Sequence, residues 1–96
     1  MIMSFGNAGT EDIFHGVQSK DVAKFPPEIQ RTAKRKLTSI NAAVRLDDLK
    51  VPPGNKLEAL AGDLKGKHSI RINDQWRIVF RWESGKVYEV CIVDYH

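Results

Sequence analysis

The chain has 96 residues, 42% of them hydrophobic and 28% charged, the balance of one globular domain with a modest core rather than of a disordered segment. Its single cysteine, Cys91, excludes an internal disulfide framework and fits a reducing compartment, and no apolar run approaches the roughly 20 residues that a membrane helix needs. Fifteen Lys and Arg against 12 Asp and Glu leave a net charge of +3, which permits nucleic-acid binding without proving it.

One domain spanning residues 1–96 is expected, with no repeat, low-complexity tract or linker. Met1–Phe5 lacks the basic start and long apolar stretch of a signal peptide, so the expected location is cytoplasmic. Ile2 and Ser4 alternate with Met3 and Phe5, which predicts a first strand. Thr10-Glu11-Asp12 reads as a helix start, because acidic residues suit a first turn, and the helix should end near Gly16. Phe25-Pro26-Pro27-Glu28 opens the longest element. Ile29, Ala33, Leu37, Ile40 and Val44 recur at spacings of four, four, three and four, one apolar stripe on an amphipathic helix. Arg31, Lys34, Arg35 and Lys36 lie mostly off that stripe, as a solvated face.

Leu46–Leu49 predicts one further helical turn before Pro52-Pro53-Gly54-Asn55 forces a break. Lys56–Lys67 reads as a glycine-punctuated connection anchored by Leu57, Leu60 and Leu64. The final third alternates with period two: Ile70 and Ile72, then Trp76, Ile78, Phe80 and Trp82, then Val87–Val93. Asn73-Asp74-Gln75 and Ser84-Gly85 are the turns between. These strands make an antiparallel meander, and the long amphipathic helix is the cover its apolar face requires. The predicted class is α+β.

The polar residues of this sheet raise a chemical question. From Asp63 to Lys86 there are six basic residues (Lys65, Lys67, Arg71, Arg77, Arg81, Lys86) and three acidic ones (Asp63, Asp74, Glu83), which reads either as a solvated face or as a nucleic-acid face. The last strand runs into Val93-Asp94-Tyr95-His96. Imidazole titrates near neutrality, and a carboxylate or phenol can orient it or share its proton work. Period two puts Asp94 and His96 on one face and Tyr95 on the other. Arg77, Val79 and Arg81 share one face of the preceding strand. Should that face carry His96, a guanidinium suited to grip a phosphate stands beside an imidazole and a carboxylate. Such a set suits RNA cleavage, in which the substrate's 2′-hydroxyl is the nucleophile and no metal is required. The bland readings are a solvated terminal histidine and a salt-bridged arginine. Trp76 and Trp82 could stack bases, but their alternation with Ile78 and Phe80 makes them core residues. His15, His68, Cys91 and His96 lack metal-ligand spacing, and Cys91 reads as a small core residue. Gly54, Gly62 and Gly66 form no phosphate loop.

Three segments in order, Pro52-Pro53-Gly54-Asn55-Lys56-Leu57-Glu58-Ala59-Leu60, His68-Ser69-Ile70-Arg71-Ile72-Asn73-Asp74-Gln75-Trp76-Arg77-Ile78 and Val93-Asp94-Tyr95-His96, closely resemble the HigB toxins of the RelE/ParE superfamily. The opening Met1-Ile2-Met3-Ser4-Phe5 fits as well. The resemblance implies a compact RelE-like domain with two N-terminal helices on a small twisted antiparallel sheet. It implies a ribosome-dependent endoribonuclease that cuts mRNA in the ribosomal A site without metal or other cofactor. A HigA-type antitoxin with a helix-turn-helix domain would hold it inactive, and any DNA contact would belong to that partner.

Carried over residue by residue, the resemblance makes His96 the principal acid/base and Asp94 its orienter or a second proton carrier. Arg77 becomes the phosphate clamp, and Tyr95 positions a base or the backbone. Lys56, Lys67, Arg71 and Asn73 are the implied RNA contacts. Some relatives place a histidine where this chain has Glu58, which is then either a general base, if it is buried, or a surface residue. ParE-type relatives use the same scaffold to bind DNA gyrase, and that non-enzymatic reading is the alternative.

Overall fold

The structure, a computed structural model, describes residues 1–95. Three helices, α1 (Ala8–His15), α2 (Lys20–Ala23) and α3 (Pro27–Ala42), precede a four-stranded sheet of β1 (Glu58–Ala59), β2 (Lys67–Arg71), β3 (Trp76–Glu83) and β4 (Lys86–Asp94). The strands lie side by side in chain order, each antiparallel to the next. The fold is α+β, as the alternating strands and the long stripe require.

Local chemistry sets each helix. Asn7 caps α1 by accepting from the Thr10 N–H at 2.9 Å, and Gly16 closes it in the left-handed region at φ 74°. The single turn of α2 starts at a Ser19 cap. It was not anticipated, because four residues carry no periodicity. The Gln30 amide of α3 donates to the carbonyls of Val22 and Phe25, tying the short helix to the long one. Ile29, Ala33, Leu37 and Ile40 are all buried, but α3 ends at Ala42. Past that end the 3.6-residue period no longer applies. Val44 is therefore 76% exposed, not part of the stripe, and Ala43 is buried instead.

The helices cover one face of the sheet, where Ile70, Ile78, Phe80, Val87, Val90 and Ile92 join Ile13, Leu37 and Leu49 in the core. Trp76 and Trp82 pack against this cluster, and Trp76 meets Phe25 edge-on at 5.4 Å. They act as core residues. Leu57 also packs on the core, whereas Leu64 is exposed and stands outside that cluster.

The pairing of β3 with β4 shifts register between Val79 and Arg81, and Glu89 takes a positive φ of 56°. This is a β-bulge, and it lets Val87, Val90 and Ile92 all face the core although they are three and two residues apart. The bulge also explains why Met1–Phe5 is not the regular strand its alternation predicts. Ile2 and Phe5 make isolated parallel bridges to Val87 and Val90, and between them the Ser4 hydroxyl accepts from the Glu89 N–H at 2.9 Å. The segment thus sheathes the outer edge of β4. No described helix is long and apolar enough to cross a membrane.

Candidate active site

Register decides which polar side chains meet. Ile70, Ile78 and Ile92 are cross-strand partners and point into the core. The neighbouring rows, Arg71–Arg77–Val93 and Ser69–Val79–Cys91, therefore point to the face the helices leave uncovered. Glu58 pairs with Ser69, so β1 adds a carboxylate to that same face.

Arg77 is the centre of this face. Its side chain is only 11% exposed. Nε donates to the Oγ of fully buried Ser69 at 2.8 Å, and Nη2 donates to the Lys56 carbonyl at 2.9 Å. Lys56 adopts a left-handed backbone at φ 45° just after the Pro53–Asn55 turn. One oxygen of Glu58 stands 3.6 Å from Nη2, on a side chain that is half exposed. The guanidinium carbon lies 5.5 Å from the centroid of the Tyr95 ring. A permanently charged, planar donor is thus fixed in place beside an open surface, with a carboxylate and a phenol around it.

Asp94 is not part of this group. It pairs with Trp76, a residue of the core side, and accepts from the Gln75 amide at 3.0 Å. Alternation along one strand does not fix whether Arg77 shares a face with Asp94; the register between strands does. Among the described residues, Tyr95 is the member of the terminal trio that reaches the arginine, and Asp94 is turned to the other side. His96 lies outside the described residues.

A family model described as the RelE-like toxin of the type II toxin–antitoxin system HigB matches residues 4–96. The chain belongs to the HigB-like toxin family. It is 31% identical over 101 residues to the endoribonuclease HigB of Proteus vulgaris, covering 100% of both chains. It is 47% identical over 60 residues to the toxin HigB-1 of Vibrio cholerae, covering 62% of this chain and 63% of that protein. The match to a Haemophilus influenzae protein likewise spans 64% of its length, so the chain covers just under two thirds of the first two curated relatives. Among solved structures, YafQ of E. coli has a TM-score of 0.65 at 15% identity, covering 98% of this chain and 91% of that one. A YoeB–YefM complex of Staphylococcus aureus gives a TM-score of 0.61 at 21% identity, covering 100% and 95%. At these identities the two structures share the fold.

In this HigB-like domain the other expected contact residues are largely engaged. Lys67 pairs with Glu89 at 3.2 Å and Arg71 with Asp74; Arg81, which is not one of the expected contacts, pairs with Glu83 and lies over the Tyr88 ring at 4.6 Å. In each of these ion pairs the acidic partner is exposed, so the pair holds its cation only loosely. Asn73 is used differently: its Oδ1 accepts from the N–H groups of both Gln75 and Trp76 at 2.8 Å and builds the turn. Cys91 is half-buried on the uncovered face rather than in the core. Burial pushes its thiol up, an effect opposed by nearby Lys67 and reinforced by Glu89. No three His, Cys, Asp or Glu side chains among the described residues converge as a metal site.

Two elements of the site were not foreseen. Ser69 and the Lys56 carbonyl carry no sequence signal, because a lone serine in a strand and a backbone oxygen are chemically silent until pairing places them. Lys36 was assigned to a solvated face, yet its ammonium is held by Asn55, whose own amide donates to the Leu49 carbonyl at 3.1 Å. Burial lowers the pKa of Lys36 first, and the charges of Arg35 and Arg71 lower it further. A lysine bound to a neutral amide beside two arginines adds positive charge at the Arg71 end of the sheet.

Proposed function

We propose that this chain is the toxin of a type II toxin–antitoxin system and acts as a ribosome-dependent endoribonuclease on mRNA in the A site. A HigA-type helix-turn-helix antitoxin neutralises it and makes the DNA contacts. The observation that carries the reading is the Arg77 guanidinium, fixed on the uncovered face with Glu58 and Tyr95 beside it. Two further supports are the family match and the full-length relative named as an endoribonuclease.

In the reaction this reading describes, the 2′-hydroxyl of the substrate attacks the adjacent phosphorus. The new O–P bond forms as the bond to the 5′-oxygen breaks. One proton leaves the 2′-oxygen and one is delivered to the departing 5′-oxygen. Negative charge builds on the phosphoryl oxygens, and a positioned guanidinium stabilises it without reorganising. His96 is the group assigned to the proton transfers. Asp94 is the group assigned to orient that histidine or to carry a second proton. Glu58 holds the outer edge of Arg77, and Lys56, Lys67 and Arg71 attract the RNA backbone.

The test is a translation extract programmed with a defined mRNA, with cut sites mapped by primer extension for the wild type, Arg77→Ala and His96→Ala. A general acid/base group is worth about 10²–10⁴-fold in rate and a preorganised charge-stabilising donor about 10²–10³-fold, so each variant should lose about a hundredfold or more with its fold intact. Cleavage within tenfold of the wild type in both variants would remove the site assignment. Intact mRNA together with gyrase-dependent DNA damage would transfer the chain to the ParE-like reading.

A further inference from the structure

Ser69 stands out once the register is known. It is fully buried in a central strand, where β-branched or aromatic residues are favoured and a serine hydroxyl contributes little packing. A buried hydroxyl needs a partner, and among the described residues the one it has is the Nε–H of Arg77 at 2.8 Å. The two residues are diagonal neighbours, since Ser69 pairs with Val79 and Arg77 with Arg71. From the loop side, the Lys56 carbonyl takes a hydrogen of Nη2 at 2.9 Å. Two acceptors on two elements grip one edge of the guanidinium and fix the rotation of its plane. Among the described residues, the third nitrogen, Nη1, makes no hydrogen bond.

Resting on the reading of Arg77 given above, we infer that Ser69 is a positioning residue for the cleavage reaction, holding the guanidinium so that its Nη1 side meets the phosphoryl oxygens. Serine does not touch the substrate. Its contribution is to order a long, rotamer-rich side chain before the RNA arrives, so that the ordering cost does not fall on the reaction step. The Lys56 carbonyl assists, and the left-handed backbone at Lys56 aims it.

Ser69→Ala removes one acceptor and keeps the strand. A hydrogen bond to a charged group corresponds to about a ten- to a hundredfold effect. Single-turnover cleavage should therefore slow by about tenfold or more, with the half-saturating ribosome concentration little changed. In an Arg77→Ala background the same substitution should cost nothing further, because the side chain through which Ser69 acts is gone. A separate readout does not depend on activity: the Arg77 Nε–H nitrogen–proton resonance should exchange slowly with water in the wild type and at least tenfold faster in Ser69→Ala. Equal losses in both backgrounds, or equal exchange in both proteins, would overturn the inference and leave Ser69 a packing residue. A wild-type chain that does not cut mRNA would overturn the nuclease reading, and the exchange measurement would still show whether Ser69 holds the arginine.

Discussion

Arg77 and Tyr95 come together on the uncovered face of the sheet, the guanidinium carbon 5.5 Å from the phenol centroid, while Asp94 between them in sequence pairs with Trp76 on the opposite side. Strict period-two alternation thus places the tyrosine, not the aspartate, with the arginine. An aromatic face near a guanidinium that borders solvent contributes about 0.5–1 kcal/mol, which corresponds to roughly a two- to fivefold effect. Tyr95→Ala should reduce cleavage by about that factor, and Tyr95→Phe, which keeps the ring, should be close to wild type. Equal losses in the two variants would assign the role to the hydroxyl.

Glu58 offers a sharper contrast between roles. Its carboxylate is half exposed and stands 3.6 Å from Arg77, the position of an ion-pair partner. As an exposed pairing partner it contributes about 0.2–1 kcal/mol. Glu58→Gln should therefore lower the single-turnover rate less than tenfold and leave its pH profile unchanged. A hundredfold loss with an altered acid limb would make Glu58 the base after all.

The helix stripe and the sheet face differ in how much of them a sequence can show. Arg77 carries a recognisable signal in the Trp-Arg pair, whereas alternation set Tyr95 apart from His96 and gave no sign that its ring lies beside Arg77. Ile29, Ala33, Leu37 and Ile40 were legible because the helical period repeats for about three turns. Val44 was misread because nothing in a periodic stripe marks its last residue. The bulge at Glu89 was invisible, since a non-glycine residue at positive φ has no reliable signature. Ser69 and the Lys56 carbonyl belong to the site only through pairing and backbone conformation, which are set by tertiary contacts rather than by residue type.

Asp48 gives a pH signature independent of the site. Its carboxylate accepts from the Val44 and Arg45 N–H groups at 3.0 Å each. The Arg45 bond, then the Val44 bond, holds its carboxyl below the usual value of 3.8. A depressed carboxylate stabilises the fold above its unfolded pKa and loses that contribution as pH falls through the folded one. Wild type should thus be more stable than Asp48→Asn near neutrality, and the gap should close below about pH 3.8. Denaturant titrations of both proteins from pH 7 to pH 2.5 check this, and a gap that stays constant over that range refutes it.

Thr10 couples the first helix to the edge of the sheet. It is fully buried, its hydroxyl donates to the Asn7 cap at 2.7 Å, and it accepts the Ile92 N–H at 2.9 Å. The N-terminal segment satisfies the β4 edge only as far as Val90, so Thr10 takes over where that segment turns into the helix. Thr10→Val nearly preserves volume but leaves the Ile92 N–H buried without an acceptor, at a cost of about 1–3 kcal/mol. In a domain this small each kcal/mol moves the melting temperature by about 4–8 °C. Thr10→Ser, which keeps the hydroxyl and loses a methyl, should fall less. Hydrogen exchange adds the local reading: the Ile92 amide should lose protection in Thr10→Val and keep most of it in Thr10→Ser. If the valine variant melts with the wild type and its Ile92 amide stays protected, the hydroxyl is not what joins helix to strand.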